Sequence, residues 1–485
     1  MTNDQVDHRS AAASRDEDQV QMARDLMGGT ATMRRAGGRY LYKAPAESPK
    51  SHEYRLKVAT LFPAYKRTVE VLAGKPMSKP ITLSDDIDAD IKAFAEDIDT
   101  EGRNLHVFVT DVIKSALAYG FCGILVESPE APEGLTQEQE KALGIRPYWV
   151  KIERWQVLGW RLKRVGGMWS LAQLRFKETV AEEDGEFGEK DVEQIRVLEP
   201  GRWRTYRKKV VQGQATAEWV EDKKGEVRGV AEIPFVPVYG HQAALMQGNM
   251  PLIDVAYLNV EHYQSTSDQR NIVRVGRVPI LKATGIVDPK WTLDIGSSTA
   301  VRMPPGADLS YVEHGGQSIG AGRQEIIDIE ERMRQSGAEL LVLAPGQVTA
   351  TQVHTENEAG RCILESIALN TEDSVNKALD LTAKFRGPLL KGKPGKAKLF
   401  TDFGVATLAE ASTQLVLSGV TSQVVSKETA FKEMQRRGIL SPDLKYEDEK
   451  DRIEADGPPL GTLGLDGQPP QNNGGGGAGN QRPAA

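Results

Sequence analysis

The stretch best equipped for chemistry is H-G-G-Q-S-I-G-A-G-R, His314 to Arg323, where Gly316, Ser318 and Gly320 form a G-x-S-x-G directly behind His-Gly-Gly. In an α/β-hydrolase such a serine stands on a sharp strand-to-helix turn, and an acid and then a histidine must follow it in the chain. Only His354 follows, 36 residues on, and the interval holds one helical pattern and one loop. No strands remain to carry the other two members. The preceding D-L-S-Y-V-E-H is short and alternating, unlike the buried parallel strand that such an elbow ends. Asp86, Asp88 and Asp90 imitate a calcium loop, but Ile91 stands where the loop requires glycine. His354-Thr-Glu356 matches half of a deaminase signature, with no Pro-Cys-x-x-Cys after it. A Walker loop and an H-E-x-x-H are also missing. The chain therefore reads as a non-enzyme with no cofactor and no metal; a serine hydrolase using Ser318 is the weaker alternative.

The elements that surround these residues are legible from periodicity. Residues 1–50 are polar and end in Y-K-A-P-A-E-S-P-K, which predicts a flexible arm. Phe62, Tyr65, Val69 and Leu72 recur at helical spacing up to Gly74. Ile87, Ile91, Phe94 and Ile98 form one stripe, with Ser84 as its expected N-cap and the aspartates as a solvated first turn. A helix carrying Leu105, Phe108, Val112 and Ala116 precedes F-C-G-I-L-V-E-S, which reads as a buried strand.

From Pro147 to about Glu226 the period falls to two, with Gly166-Gly167 and E-E-D-G-E-F-G-E as turns, and an antiparallel meander results. It carries six of the seven tryptophans and many arginines. That composition could serve base stacking, but alternation between a packed aromatic face and a wet basic one is the favoured reading. I-P-F-V-P-V-Y-G, with two prolines, reads as an edge strand or connector.

Residues 252–273 begin as an amphipathic helix and turn polar on all sides after Tyr263. Such a helix must bridge regions or pack against neighbouring copies. Strand signals follow, the last two joined by Pro-Pro-Gly-Ala, and then a helix in which Ile319, Ile326, Ile329, Met333 and Leu340 recur. After L-V-L-A-P-G-Q-V-T-A-T-Q a helix is expected from about Val353 to Phe385, then two shorter ones between Thr401 and Leu440, and a Gly/Pro-rich tail that reads as disordered. Ser318 becomes a helix N-cap or its near neighbour, so Ser318→Ala is expected to be mild while bulk at Gly316 or Gly320 disturbs assembly.

Composition narrows the partners. With 61 basic against 68 acidic residues, a formal charge of −7, the chain lacks the cationic excess that holds nucleic acid by counterion release. The two cysteines, Cys122 and Cys362, suit a reducing compartment. No apolar run is long enough to cross a membrane, and the first residues lack a secretory layout, which predicts assembly in cytoplasm.

Taken in order, A-Y-K-R-T-V-E-V-L-A-G-K-P, D-V-I-K-S-A-L-A-Y-G-F-C-G-I-L-V-E, I-P-F-V-P-V-Y-G, P-L-I-D-V-A-Y-L-N-V-E-H-Y-Q-S-T-S-D-Q-R-N, I-G-S-S-T-A-V-R-M-P-P-G-A-D-L-S-Y-V-E-H-G-G and T-E-N-E-A-G-R-C-I-L-E-S-I-A-L-N-T-E-D-S-V-N-K-A-L-D-L resemble the portal (head-to-tail connector) proteins of tailed bacteriophages. They resemble in particular a group long catalogued only as a family of unknown function. The specificity lies in the series, which covers most of residues 50 to 440.

The resemblance implies an α+β portal-type fold. Its expected parts are an arm (1–50), a wing of helices and β meander (51–245), a first stem helix (246–273), a clip (274–317) and a second stem helix (318–341). A tunnel loop (342–352), a long wing helix with connector (353–400), a crown (401–441) and the tail (442–485) complete it.

The resemblance also implies sites. Pro345, Gly346, Gln347, Val348 and Thr349 would face DNA, and Gln264, Asp268, Arg270, Glu330 and Arg334 would meet the next subunit. Arg277, Lys282, Asp288, Lys290 and Trp291 would offer the clip surface to the terminase or adaptor.

Its further implications are a ring, a dodecamer in this family, at one capsid vertex of the virion, assembled in the host cytoplasm without a membrane partner. The partners implied are double-stranded DNA held without sequence preference, the terminase large subunit, major capsid and scaffolding proteins, and head-completion adaptors. A minor capsid or tail-adaptor protein without a closed channel is the alternative.

Overall fold

The computed structural model describes residues 5–129, 143–210, 217–227, 229–278, 280–286, 305–312, 317–338, 362–387, 392–401, 425–436 and 444–455, with a few single positions besides. The chain divides into two compact units, residues 1–403 and 404–485. Both helices and antiparallel sheets build the first, so the class is α+β.

Its centre is a three-stranded antiparallel sheet, in which β1 (Phe121–Glu127) lies between β2 (Tyr148–Glu153) and β8 (Phe235–Tyr239). The unbroken apolar run of β1 follows from burial on both faces. Cys122, Ile124 and Val126 turn to the main helical core, while Phe121 and Leu125 join Ile152, Leu174, Phe176 and Phe235 in a second core under the meander. The second proline of I-P-F-V-P-V-Y-G, Pro237, sits on β8, an edge strand, where its missing N–H costs no ladder bond.

The main core collects α4 (Ala64–Gly74), α6 (Leu105–Tyr119) and α9 (Ile363–Arg386). Asn104 caps α6, its side chain accepting from Val107 N at 2.9 Å, and Gly120 ends it at φ 75°. Of the expected stripes, Tyr65, Val69, Leu72, Phe108, Val112 and Ala116 are all buried. The next helix, α5 (Ala89–Phe94), is capped by Asp88 rather than Ser84, because Asp88 accepts from Asp90 N at 2.9 Å.

The arm expected over residues 1–50 is instead structured where it is described. Helices α1 (Glu17–Met27) and α2 (Gly29–Ala36) bury Val20, Met22, Leu26 and Met33 in the main core, and Leu41 joins them on the connection to α3 (Pro49–Val58). The apolar residues are few but fall on one face, and the buried Asp25 is satisfied by Tyr40 Oη at 2.7 Å and Arg39 at 2.9 Å. The overall polarity of the segment masked a short amphipathic pattern.

The meander is a five-stranded sheet in sequence order: β3 (Val157–Val165), β4 (Met168–Glu183), β5 (Glu189–Glu199), β6 (Arg202–Val210) and β7 (Ala217–Glu226). Gly166 and Gly167, at φ 57° and 86°, form the two-residue turn that the sequence predicts. Trp160 and Trp203 pack against the second core, whereas Trp169 is exposed at the turn.

In the second unit, α10 (Lys427–Arg436) is the described part of the expected crown. A further helix, α11 (Tyr446–Ala455), occupies the start of what reads as disordered tail. Glu447, Asp448 and Glu449 in its first turn favour the helix dipole, and the Tyr446 ring meets Phe431 at 5.6 Å.

Candidate functional site: a helix pair and its ribbon

Two long helices, α7 (Ile253–Gly276) and α8 (Gln317–Ala338), pair side by side. Glu261 meets Arg332 at 3.5 Å, His262 meets Glu330 at 3.2 Å, Ser265 meets Glu325 at 3.4 Å and Gln269 donates to Ile319 O at 2.7 Å. Contacts that ascend one helix descend the other, so the pair is antiparallel.

The near half of the pair is anchored in the body. Val255, Ala256, Asn259, His262, Tyr263 and Ser267 are buried along one face of α7, and Ile329 and Met333 along α8. Asn259 is fully buried and splints the chain around Pro63: its Oδ1 accepts from Tyr65 N at 3.0 Å and its Nδ2 donates to Phe62 O at 2.9 Å. That bond satisfies an orphan donor at the start of α4. No sequence signal marks Asn259, since a polar residue at that position reads as solvated.

The far half runs out into solvent. Beyond Ser267, α7 has no buried residue, and Ile272, Val275 and Val278 are exposed. It leads to β9 (Ile280–Thr284), which among the described residues pairs antiparallel with β10 (Asp308–Val312) alone. Tyr311 and Val312 are exposed on opposite faces of this ribbon. A two-stranded ribbon is marginal by itself.

Among the residues expected at a subunit contact, several are engaged within the chain. Gln264 Nε2 donates to Tyr40 O at 2.7 Å, and Asp268 accepts from Arg55 at 3.0 Å although its side chain remains largely exposed. Glu330 holds His262, and Arg334 pairs with Glu331 and, at 3.8 Å, Glu330. Arg270 is exposed. Arg277, at the C-terminal end of α7, and Lys282, on the ribbon opposite Ser310, are exposed. Asp288, Lys290 and Trp291, and the whole loop from Pro345 to Thr349, lie outside the described residues.

Ser318 is the second residue of α8, within the helix rather than on a turn before it. His314 to Gly316 lie outside the described residues. Within the chain the close approach is at Gly322. A Cβ at Gly320 would meet nothing within 4 Å, while one at Gly322 would approach Gln269 Oε1 to 2.3 Å. Helix propensity alone favours alanine at either position. Gly320→Ala should therefore leave the protein about 1 kcal/mol more stable than Gly322→Ala, which displaces the Gln269 bond to Ile319 O. Equal shifts of the two urea midpoints would refute that packing.

Asp86, Asp88 and Asp90 do not converge. Asp86 pairs with Lys393 at 3.0 Å, Asp88 accepts from Gly392 N at 2.8 Å, and Asp90 pairs with Arg386 at 2.9 Å. Among the described residues no group of three or more acidic, His or Cys side chains could hold a metal, and no helix is long and apolar enough to cross a membrane.

A cavity of about 760 Å³ opens between the two sheets and α9 and is lined by Arg146, Arg196, Arg207 and Arg386. Each has a carboxylate partner: Asp97, Glu127 with Glu178, Glu182 with Asp222, and Asp90 respectively. The four arginines that line the cavity thus serve internal ion pairs, which leaves little free charge there for phosphate.

Residues 251–386, less than half of the chain, match the model of a family described as Domain of unknown function (DUF4055). No curated protein matches. Solved structures with loose likeness include "Neck of empty GTA particle computed with C6 symmetry", with TM-score 0.41 and 12% identity, covering 76% of this chain and 88% of that one. "Virion of native gene transfer agent (GTA) particle" has TM-score 0.41 and 11% identity, covering 83% and 97%. "Neck of native GTA particle computed with C12 symmetry" has TM-score 0.39 and 11% identity, covering 85% and 99%. The matched stretch begins at Pro251 just before α7 and ends at Arg386, the last residue of α9, so it holds the helix pair and the ribbon. Over these residues the chain is thus similar to a family catalogued as a domain of unknown function.

Proposed function

We propose that this chain is a portal protein, a non-enzymatic subunit that closes into a ring, a dodecamer, at one vertex of a phage capsid. DNA passes through the ring without sequence-specific contact during packaging and ejection. The observation that carries the reading is the projecting pair α7 and α8 with its ribbon, whose far half buries little within its own chain. Heterologous contacts that close a ring would cover those surfaces in every copy. The acidic balance of the chain suits a conduit, because a strongly basic bore would hold DNA by counterion release.

In this reading the pair is the stem and the ribbon belongs to the clip. Arg277 and Lys282 are offered there to the terminase large subunit and later to head-completion adaptors, and the body meets capsid and scaffolding proteins as the wing. Residues 345–349 are assigned the contact with DNA. The protein resides in the virion after assembly in the host cytoplasm.

Native mass spectrometry and electron microscopy of the purified chain test the proposal. Closed rings with a central channel wide enough for duplex DNA are expected. A strict monomer at every concentration sinks it, and an assembly without a channel points to a minor capsid or tail-adaptor protein.

A further inference from the structure

The meander is staggered in an unusual way. Strand β4 runs for 16 residues, roughly 50 Å at 3.3 Å per residue. Its first half pairs with β3 from Met168 to Phe176, and its second half pairs with β5 from Leu174 to Glu183. The two partners overlap only at residues 174–176. One two-stranded ribbon therefore projects from each end of the sheet. Such a ribbon gains little from burial within its own chain.

The two tips are chemically opposite. At the β3–β4 turn stand Arg161, Lys163 and Arg164, and the sequence carries no carboxylate from Val157 to Lys177. Among the described residues none of the three cations forms an ion pair; Arg164 lies over the Trp169 ring at 4.9 Å. Met168 and Trp169 are 75% and 57% exposed beside them. At the β4–β5 turn, Glu183, Glu186, Glu189 and Asp191 form no ion pair among the described residues, and Phe187 is 94% exposed. That loop is closed by Asp184 N donating to Gly188 O at 2.7 Å, and a Cβ at Gly188 would collide with Asp184 O at 2.5 Å. The tight turn presents Phe187 outward.

We propose that the basic tip of one copy docks on the acidic tip of the next, with Met168 and Trp169 packing against Phe187 inside a rim of opposite charges. The occupant is a second copy of this chain, because one molecule carries both halves of a complementary pair at positions too far apart to meet each other. Such a contact is heterologous, and repetition of it propagates or closes. The inference deepens the ring proposed above and rests on that reading for closure alone.

The test uses full-length protein. One batch carries Val165→Cys and the other Lys190→Cys, both at exposed positions beside the packed centre, and the native Cys122 and Cys362 are buried. Mixing the batches with a short bis-maleimide should give a cross-linked species of two chains that neither batch gives alone. Adding Arg161→Glu, Lys163→Glu and Arg164→Glu to the first batch should reduce the product roughly tenfold. Adding Glu183→Lys, Glu186→Lys and Glu189→Lys to the second should then restore it.

No cross-link between copies that form normal rings overturns the tip contact and leaves the ring reading intact. Cross-linked chains that never close support the contact and defeat the ring. Neither rings nor cross-links defeat both, and a cross-link indifferent to charge reversal defeats the electrostatic docking argued here.

Discussion

Replacing Trp149 by alanine should cost the folded protein about 3–5 kcal/mol, read as a lowered midpoint of the urea transition followed by circular dichroism. The side chain is 1% exposed and sits where three elements meet. Its ring stands edge-on to Phe108 of α6 at 5.8 Å, its Nε1 donates to Thr382 Oγ1 of α9 at 2.9 Å, and its backbone N donates to Ile98 O at 2.9 Å. The alanine variant would leave a cavity between β2, α6 and α9 that a rigid sheet cannot close. Trp149→Phe separates packing from hydrogen bonding. It keeps most of the volume, and Thr382 Oγ1 still donates to Ala378 O at 2.9 Å, so no buried hydroxyl is orphaned. That variant should lose only about 1 kcal/mol. A Trp149→Ala shift of that same small size would mean that α9 is not held through this side chain.

Trp149 also shows what the sequence carries and what it withholds. Period two placed it on a strand, and alternation placed it on a packed face. Nothing local could tell that its strand pairs with β1, ahead of the meander, instead of opening the meander itself. That choice depends on the Glu127 to Tyr148 register, a pairing across a long intervening stretch, set by tertiary burial. Regular apolar stripes such as Tyr65, Val69 and Leu72 were legible because each is a local period written over a large enough face. The helices of the first fifty residues were not, because their stripes are short and charged residues such as Arg24 and Asp25 interrupt them.

The same division holds at the helix pair. The loss of amphipathicity after Tyr263 falls one turn before α7 leaves the core, since Ser267 is still buried. Which polar residues would be free there was not legible. Gln264 and Asp268 look alike in sequence to Arg270, yet both are met by groups near the N-terminus, Tyr40 O and Arg55. Those partners lie more than two hundred residues away in the chain, beyond the reach of any spacing rule.

The joint between the meander and the central sheet yields the other large effect. Arg196 on β5 stands between Glu127 on β1 and Glu178 on β4; its Nη1 donates to Glu127 and its Nε to Glu178 Oε1 at 2.9 Å. Tyr148 Oη donates to Glu127 at 3.2 Å, and Gln194 donates to Glu178. Burial raises the pKa of Glu127 above the ordinary carboxylate value, more than Arg196 lowers it, and Glu178 raises it further. Removing the cation leaves two largely buried carboxylates facing each other, so Arg196→Ala should cost about 3 kcal/mol at neutral pH.

The pH dependence fixes the cause. A carboxyl group whose pKa is raised by folding binds its proton more tightly in the native state. Its contribution to stability is full below the unfolded value and is lost as pH rises through the native one. Without Arg196 the pKa of Glu127 climbs further, so acidification relieves the variant more than the parent. The gap between the two should narrow as pH falls from about 7 to about 5, and Glu127→Gln in the Arg196→Ala background should recover much of it at neutral pH. A gap that is constant over that range, or unchanged by Glu127→Gln, would show that the cost comes from lost packing of Arg196 over the Phe176 ring, 5.7 Å away, rather than from uncompensated charge.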